Sequence, residues 1–202
     1  MDNIDESSMH IPKKKNVALL ILLTIITLGI YTYFWYLNRA DELNNLQTKT
    51  KTKRGLIVTA FILYILAVLM IIGMEITALV TKQNINTNVI SDIPLPFQIL
   101  FIAAGIIILV HCIVLIIIAF NVRKILNEAE ENKQMSKRTS VLFTMFMNFF
   151  YLQYEINRII NDKENKHKIG PWILFILLYI VPIILGAIEI FYPGFYLKYW
   201  IF

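Results

Sequence analysis

The sequence has few charged residues and only one cysteine. Asp, Glu, Lys and Arg make up 16% of the 202 residues, whereas soluble domains carry roughly 25%. Hydrophobic residues make up 57% and the mean hydropathy is +0.63. Cys112 has no second cysteine to pair with, so an internal disulfide and a metal site built from paired cysteines are both excluded. This composition predicts an integral membrane protein.

Motifs that carry catalysis or bind cofactors are also lacking. The sequence contains no phosphate-binding glycine loop, no His-x-x-x-His pair and no Gly-x-Ser-x-Gly nucleophile motif. The three histidines, His10, His111 and His167, lie far apart in the chain. We therefore predict that the protein is not an enzyme and holds no cofactor or metal. A membrane enzyme that acts on lipid is the weakest alternative.

Long apolar segments are what the sequence does contain. We predict an all-α integral membrane protein in which residues 1–16 are a polar cytoplasmic tail and residues 17–202 form one helical membrane domain. Because about 20 apolar residues cross a bilayer, full transmembrane helices are predicted at residues 55–80, 97–120 and 171–191. Two shorter or aromatic segments are predicted to be re-entrant or interfacial, at residues 17–37 and 141–154, and the second is predicted to be followed by a charged loop at residues 155–168. An aromatic tail at residues 192–202 is predicted to lie at the interface.

The distribution of basic residues decides between two topologies. Cytoplasmic loops carry an excess of Lys and Arg, yet if all five apolar segments crossed, most basic residues would lie outside. If residues 17–37 and 141–154 instead enter and leave from the cytoplasmic face, only Lys82 and Lys198 of the 19 basic residues lie outside. The prediction is a multi-pass cell-membrane protein with a cytoplasmic N-terminus. An ordinary transmembrane helix at residues 17–37 is the alternative.

The two shorter segments also resemble each other. Tyr36-Leu37-Asn38-Arg39 corresponds to Glu155-Ile156-Asn157-Arg158, and each stretch is followed by a basic spacer and then a glycine that opens a span, Gly55 or Gly170. A natural bend is predicted at Gly29, because glycine tolerates backbone conformations that other residues avoid. The pattern favours a parallel internal repeat, although chance similarity is common in apolar sequence.

A family resemblance is carried by Thr27-Leu28-Gly29-Ile30-Tyr31-Thr32-Tyr33-Phe34-Trp35-Tyr36 and by the following Ala40-Asp41-Glu42-Leu43-Asn44. This stretch resembles the prokaryotic membrane family called domain of unknown function 4234. The later stretch from Phe149 to Arg158 is also similar to sequence seen in that family. The resemblance implies a bacterial or archaeal cell membrane. It implies no catalytic residue, since the family has no established activity.

Three ionisable residues lie within the predicted spans, namely Glu75, His111 and Glu189. Ionisable groups inside a membrane are costly and are therefore candidates for function. A repeat would place Glu75 and Glu189 at one depth, where they could face each other and share a proton. The alternative is that both glutamates reach the outer interface and that His111 bonds a neighbouring helix.

A basic run, Lys49, Lys51, Lys53 and Arg54, precedes the span at residues 55–80. It is predicted to contact anionic lipid, with orientation of the protein as the alternative role. Nucleic acid is not a predicted partner, because no soluble domain organises these charges. The first functional hypothesis is a non-enzymatic protein that packs against itself or another membrane protein. Its rival is a small transporter or ion-conducting protein that uses the ionisable residues within the spans.

Overall fold

The computed structural model describes residues 12–80, 95–134 and 138–160, together with residues 173, 176–181 and 184. Within these residues every regular element is helical, as the sequence predicts. The elements are α1 (Val17–Ile26), α2 (Tyr31–Asn44), α3 (Arg54–Val80), α4 (Leu95–Asn132), α5 (Val141–Ile160) and a π-helical turn at Ile176–Ile180. The predicted tail at residues 1–16 is described only from residue 12. Most of the predicted span at residues 171–191, and all of the tail at 192–202, lie outside the described residues.

Two of the described helices are long and apolar enough to cross a membrane. By length and composition these are Arg54–Ile76 within α3 and Leu95–Asn132, which is the whole of α4. Their positions agree with the predicted spans at residues 55–80 and 97–120. Helix α4 continues twelve residues beyond the predicted span, because its last turns are helix-forming and several of their side chains are buried against other elements.

Helices α1 and α2 are separated by a tight turn at the predicted bend. Asn16 caps the start of α1, because its side-chain oxygen accepts a hydrogen bond from the amide of Ala18 at 2.9 Å. The turn places Leu28 and Gly29 at φ values of +50° and +93°, and the amide of Gly29 donates to the carbonyl of Thr24 at 2.8 Å. The chain then continues as α2. We call residues 17–44 the first hairpin.

Both ends of the first hairpin lie on the same side of the molecule. The amide of Lys13, just before α1, donates to a carboxylate oxygen of Glu42 in the last turns of α2 at 3.2 Å. The Arg39 guanidinium donates to the carbonyl of Lys13. At the opposite end, the hydroxyl of Tyr64 in α3 donates to the carbonyl of Leu28. The first hairpin therefore extends from the end of the molecule where Lys13 lies to its contact with Tyr64 of α3. It then returns to the end where it began.

The turn predicts a specific cost for a side chain at Gly29. A β-carbon there would meet the Tyr64 hydroxyl at an ordinary 3.8 Å, so Gly29→Ala is expected to destabilise the protein through its backbone conformation alone, by roughly 1–2 kcal/mol. Gly105 is helical and its β-carbon position is open, so Gly105→Ala is expected to stabilise by about 0.5–1 kcal/mol. Unfolding of both variants in detergent micelles measures the difference. Equal shifts of the same sign would contradict the role of the turn.

Helix α5 differs from its prediction in both length and shape. The predicted segment at residues 141–154 was to be followed by a charged loop from Glu155, but the helix continues to Ile160. The prediction of a loop is wrong because Glu155 and Arg158 are buried and paired with each other. Helix α5 also breaks at Asn148, whose φ is +45° and ψ is −127°, so it consists of two helical halves.

Both ends of the broken helix α5 lie along the last turns of α4. Before α5, the carbonyl of Thr139 accepts a hydrogen bond from Arg123 Nε at 3.0 Å. At its end, the carbonyl of Ile159 accepts one from Lys133 Nζ at 3.2 Å. The amide of Ser140 donates to the hydroxyl of Tyr151 in the second half of α5 at 2.9 Å. Helix α5 therefore leaves α4 and returns to it.

The core lies where the first hairpin, α4 and α5 meet. Helix α4 packs against α3 and α5, and α2 packs against α3. Aromatic side chains of α2 fill the space between α3 and α5, with Trp35 in ring contact with Phe149 and Tyr33 in ring contact with Phe61. The main cluster also includes buried aliphatic side chains from α2, α3, α4 and α5, among them Leu43, Ile57, Val122, Leu126 and Ile156.

Candidate functional site: two buried arginine networks

The most unusual feature of the described core is a buried arginine in α2. The side chain of Arg39 is 0% exposed. Its Nε and Nη2 atoms donate to Gln153 Oε1 at 3.1 and 2.9 Å, and the indole Nε1 of Trp35 donates to the same oxygen at 2.8 Å. The Arg39 Nη1 atom pairs with Glu42. A buried charge needs such partners, because transfer from water without them is very costly.

The same network ties the segment before α1 to α5. Gln153 Nε2 donates to Asn157 Oδ1 at 2.7 Å. Asn157 in turn bonds both backbone groups of Lys15, as it accepts from the amide at 3.1 Å and donates to the carbonyl at 2.6 Å. Burial lowers the pKa of the Lys15 ammonium, and the nearby Arg39 charge lowers it further. Three chain segments that are distant in sequence thus share one polar junction.

A second buried arginine joins α5 to α4. Arg158 Nε donates to Glu155 Oε2 at 2.7 Å, and Arg158 Nη2 pairs with Glu130 Oε1. Both carboxylate residues are 1% exposed and Arg158 is 5% exposed. One guanidinium therefore lies between two buried carboxylates, which would repel each other without it.

The two networks occupy corresponding positions in the two similar segments. Arg39 lies ten residues after Gly29, and Arg158 lies ten residues after Asn148. Both Gly29 and Asn148 have positive φ and mark a break between helices. Both arginines end the matching stretches of the sequence, which is the signal that could have found them, but that pattern alone assigns neither one to a site.

The ionisable residues predicted within the spans are not brought together in the described structure. His111 in α4 is hydrogen-bonded to the hydroxyl of Tyr33 in α2 and is in ring contact with Tyr64. This is the contact expected if His111 serves packing. Glu75 is exposed and lies eleven residues beyond Tyr64 on α3, a rise of about 16 Å. Glu189 lies outside the described residues.

The four basic residues predicted to contact lipid fall into two groups. Lys51 Nζ donates to the carbonyls of Asn44 and Leu46 at 2.6 and 2.9 Å, so it caps the end of α2. Arg54 pairs with Asp41 at 2.6 Å. The side chains of Lys49 and Lys53 are exposed. The structure therefore gives Lys51 and Arg54 intramolecular roles that the sequence pattern did not indicate.

The loop that carries these basic residues is anchored at Thr50. Its amide donates to Glu128 Oε2 at 2.9 Å, and its hydroxyl donates to Glu128 Oε1. These hydrogen bonds hold the pKa of the Glu128 carboxyl below its ordinary value. Because the shift is downward, this anchor contributes stability at neutral pH and loses it as the pH falls through the lowered pKa. The anchor therefore holds Lys49 and Lys53 in place at neutral pH.

The chemistry of the two networks is that of a structural junction. The three guanidinium nitrogens of Arg39 all bond groups of the protein itself, and among the described residues no group of three or more His, Cys, Asp or Glu could hold a metal ion. The arrangement holds helices in place, since buried charged pairs tolerate little change in geometry.

Comparison with known protein families identifies a match over the first part of the chain. Residues 15–128 match the family described as "Domain of unknown function (DUF4234)". The match covers α1, α2, α3 and most of α4, and so includes Arg39 but not Arg158. No curated protein and no solved structure matches the chain.

Proposed function

Because the match covers more than half of its length, the chain belongs to the family of domain of unknown function DUF4234, and we propose that it is a non-enzymatic integral membrane protein whose role is packing and interaction within the bilayer. The observation that carries the proposal is the Arg39 junction. It fixes the first hairpin and α5 against each other with buried, fully directed hydrogen bonds. A unit held rigid in this way suits contact with a second copy of the chain or with another membrane protein through the exposed apolar faces of its helices.

Exposed apolar surface supports placement in a membrane. In the most apolar windows of Arg54–Ile76 and Leu95–Asn132, only 17% and 11% of the residues are buried by the described chain. An apolar helix in the core of a soluble protein is mostly buried, because large exposed apolar patches are unfavourable in water. Contact with lipid acyl chains removes that cost. We therefore assign both helices as transmembrane.

The position of the basic residues supports the topology with re-entrant segments. Helix α3 begins at Arg54, and α4 ends near it at Asn132, which donates to the carbonyl of Gln47 and is followed by Lys133. Lys13 lies beside Glu42 at that end as well. We propose that this end is cytoplasmic, that residues 17–37 and 141–154 enter from it and return, and that residues 171–191 form the third span.

This topology predicts which positions an impermeant reagent can reach. In a Cys112→Ser background, cysteines at positions 45 and 133 are expected to be protected in intact cells, whereas a cysteine at position 86 is expected to be labelled. Permeabilised cells provide the control, since all three positions should then react. Labelling at position 45 in intact cells would show that residues 17–37 cross the bilayer.

We further propose that the chain contains a parallel internal repeat. The support is the shared spacing from a positive-φ break to a buried arginine, at Gly29 and Arg39 and again at Asn148 and Arg158. The carboxylate partners are not in register, since Arg39 pairs with Glu42 three residues after it and Arg158 pairs with Glu155 three residues before it. A chance similarity in apolar sequence would not place a charged residue and a backbone break in the same register.

The rival hypothesis, transport through the ionisable residues in the spans, is not favoured by the contacts of the described residues. His111 is engaged by Tyr33, and Glu75 is about 16 Å farther along α3 than the residue that contacts His111. A proton relay between the two would need groups to bridge that distance. We therefore keep packing as the proposed function.

Anionic lipid is the proposed lipid partner, and we propose that Lys49 and Lys53 contact it, because their side chains are exposed whereas Lys51 and Arg54 bond other groups of the protein. Lys49→Gln with Lys53→Gln is expected to weaken binding of a fluorescent anionic lipid, relative to a zwitterionic one, by about 2 kcal/mol, since each basic residue near a membrane surface contributes ~1 kcal/mol. Lys51→Gln with Arg54→Gln removes the same charge but from residues engaged in the protein, and should change lipid preference less. Binding of the fluorescent lipids to each micelle-solubilised double variant measures the change. Equal losses in the two variants would contradict the proposal that Lys49 and Lys53 are the residues that contact lipid.

A further inference from the structure

We propose that the protein prefers curved membrane in which the leaflet at its basic end is convex, and that it therefore acts as a curvature sensor. The inference rests on the membrane placement and topology proposed above. Its basis is an unequal number of helices at the two depths of the bilayer, because both the first hairpin and the broken helix α5 turn back before they could cross.

The first hairpin ends near the middle of the bilayer. Helix α1 has 10 residues, a rise of ~15 Å, which is half of the ~30 Å hydrocarbon core. Its turn is held at Leu28 by Tyr64, which lies ten residues after the start of α3 and so at a similar depth of ~15 Å. The length of the hairpin and the position of its contact on the span agree.

The broken helix α5 penetrates less deeply. The hydroxyl of Tyr36 donates to Asn148 Oδ1 at the break, and Tyr36 lies between the turn of the first hairpin and its basic end. Both ends of α5 are bonded to the last turns of α4, as Arg123 and Lys133 show. All of α5 therefore lies on the basic side of the turn at Leu28.

The outward faces of both elements are apolar, which places them among acyl chains rather than in water. On α1 the side chains of Leu22, Ile25 and Ile26 are between 52% and 67% exposed. On the first half of α5, Met145 and Phe146 are similarly uncovered by the described chain. Lys13 and Lys133 lie beside the ends of the first hairpin and of α5, at the headgroup level of the proposed topology, so lipid of that one leaflet is the occupant of these faces.

The described helices consequently occupy more area in one leaflet. At the basic end the bilayer contains α1, α2, both halves of α5 and the two spans, whereas of these elements only α3 and α4 continue beyond the turn at Leu28. A further span at residues 171–191 would add equally to both leaflets. Inclusion of extra volume in one leaflet is favoured where that leaflet is already spread, which makes insertion sensitive to curvature.

The test measures sorting of the full chain between a giant vesicle and a thin tube drawn from it. The protein carries a fluorophore at position 45 in a Cys112→Ser background, and an impermeant quencher reports whether the basic end faces out or in. With the basic end outward, the ratio of protein density in the tube to that in the vesicle is expected to exceed unity. With the basic end inward, the ratio is expected to fall below unity.

A matched pair of variants separates the contribution of the first hairpin to curvature sorting from that of exposed apolar surface elsewhere on the protein. Leu22→Ala, Ile25→Ala and Ile26→Ala together shrink the lipid-facing side of α1 and should bring both ratios toward unity. The control trims exposed side chains in the half of α3 beyond Tyr64, where the substitutions are Leu69→Ala, Ile72→Ala and Ile76→Ala. The control should keep or enlarge the difference between the two orientations, because it reduces the volume of the protein only in the opposite leaflet.

The outcomes distinguish this inference from the proposed function on which it rests. Protein that does not float with vesicles in a density gradient would overturn the membrane placement itself. Protein that floats but gives the same ratio in both orientations would overturn the curvature inference and leave the packing role in place. Equal effects of the α1 and α3 variants would also overturn it. Opposite ratios in the two orientations, reduced by the α1 variant, would support it.

Discussion

Arg158→Met is expected to lower the free energy of unfolding by about 5 kcal/mol, at the upper end of the range for breaking a buried ion pair. The reason is that Glu130 and Glu155 are each 1% exposed and Arg158 lies between them. Without the guanidinium, two carboxylates remain buried near each other and have no access to water. Unfolding by denaturant in detergent micelles, followed by circular dichroism, measures the loss.

The double variant Arg158→Met with Glu130→Gln provides the control for this prediction. It removes one of the two carboxylate charges that the single variant leaves uncompensated, so about 1–3 kcal/mol of stability should return. Glu130→Gln alone should destabilise less than Arg158→Met, since Arg158 keeps Glu155 as a partner. A double variant no more stable than Arg158→Met would mean that lost packing, rather than uncompensated charge, dominates.

Arg39→Ala is expected to lower the free energy of unfolding by about 3 kcal/mol, the lower end of the same range. The smaller value follows because Glu42 keeps some access to water, with 23% of its side chain exposed. Gln153 Oε1 would lose two of the three hydrogen bonds that it accepts, and the carbonyl of Lys13 would lose the one from Arg39. The first hairpin should then detach from α5, which protection of the Lys15 amide from hydrogen exchange would report.

The matched control for Arg39 is Arg54→Ala. Arg54 also pairs with a carboxylate, Asp41, but their side chains are 58% and 63% exposed, and exposed pairs contribute only about 0–1 kcal/mol. Arg39→Lys should not restore stability, because an ammonium cannot reproduce the planar set of donors that reaches Gln153, Glu42 and Lys13 together. Equal losses for Arg39→Ala and Arg54→Ala would contradict a structural role for the buried network.

Most of the helical segments could be predicted from the sequence, and the reason differs between them. Helix α3 was predicted at residues 55–80 and is observed at Arg54–Val80, because an unbroken apolar run with a basic start is a local signal. The bend near Gly29 was also predicted, since glycine accepts a positive φ. The continuation of α5 past Glu155 was missed, because a charged stretch in the sequence is typical of a loop. Only the structure shows that Glu155 and Arg158 are buried and paired.

Little of the candidate site could be predicted in the same way. Lys49, Lys51, Lys53 and Arg54 form one uniform basic run in the sequence, yet Lys51 caps α2 and Arg54 pairs with Asp41. His111 is an ionisable residue within a span predicted from the sequence, but its partner Tyr33 is 78 positions away. Composition and spacing describe a residue's own segment and contain no information about which distant segment covers it.

The sequence by itself determined that the chain is helical and apolar, where its long helices begin and where the first hairpin turns. These features depend on neighbouring residues, because the length of an apolar run and the freedom of a glycine are local properties. Only the tertiary structure decided that Arg39 and Arg158 are the buried centres of two junctions. Arg39 meets Gln153 across 114 positions, and a charge becomes structural only where folding removes water and supplies distant partners.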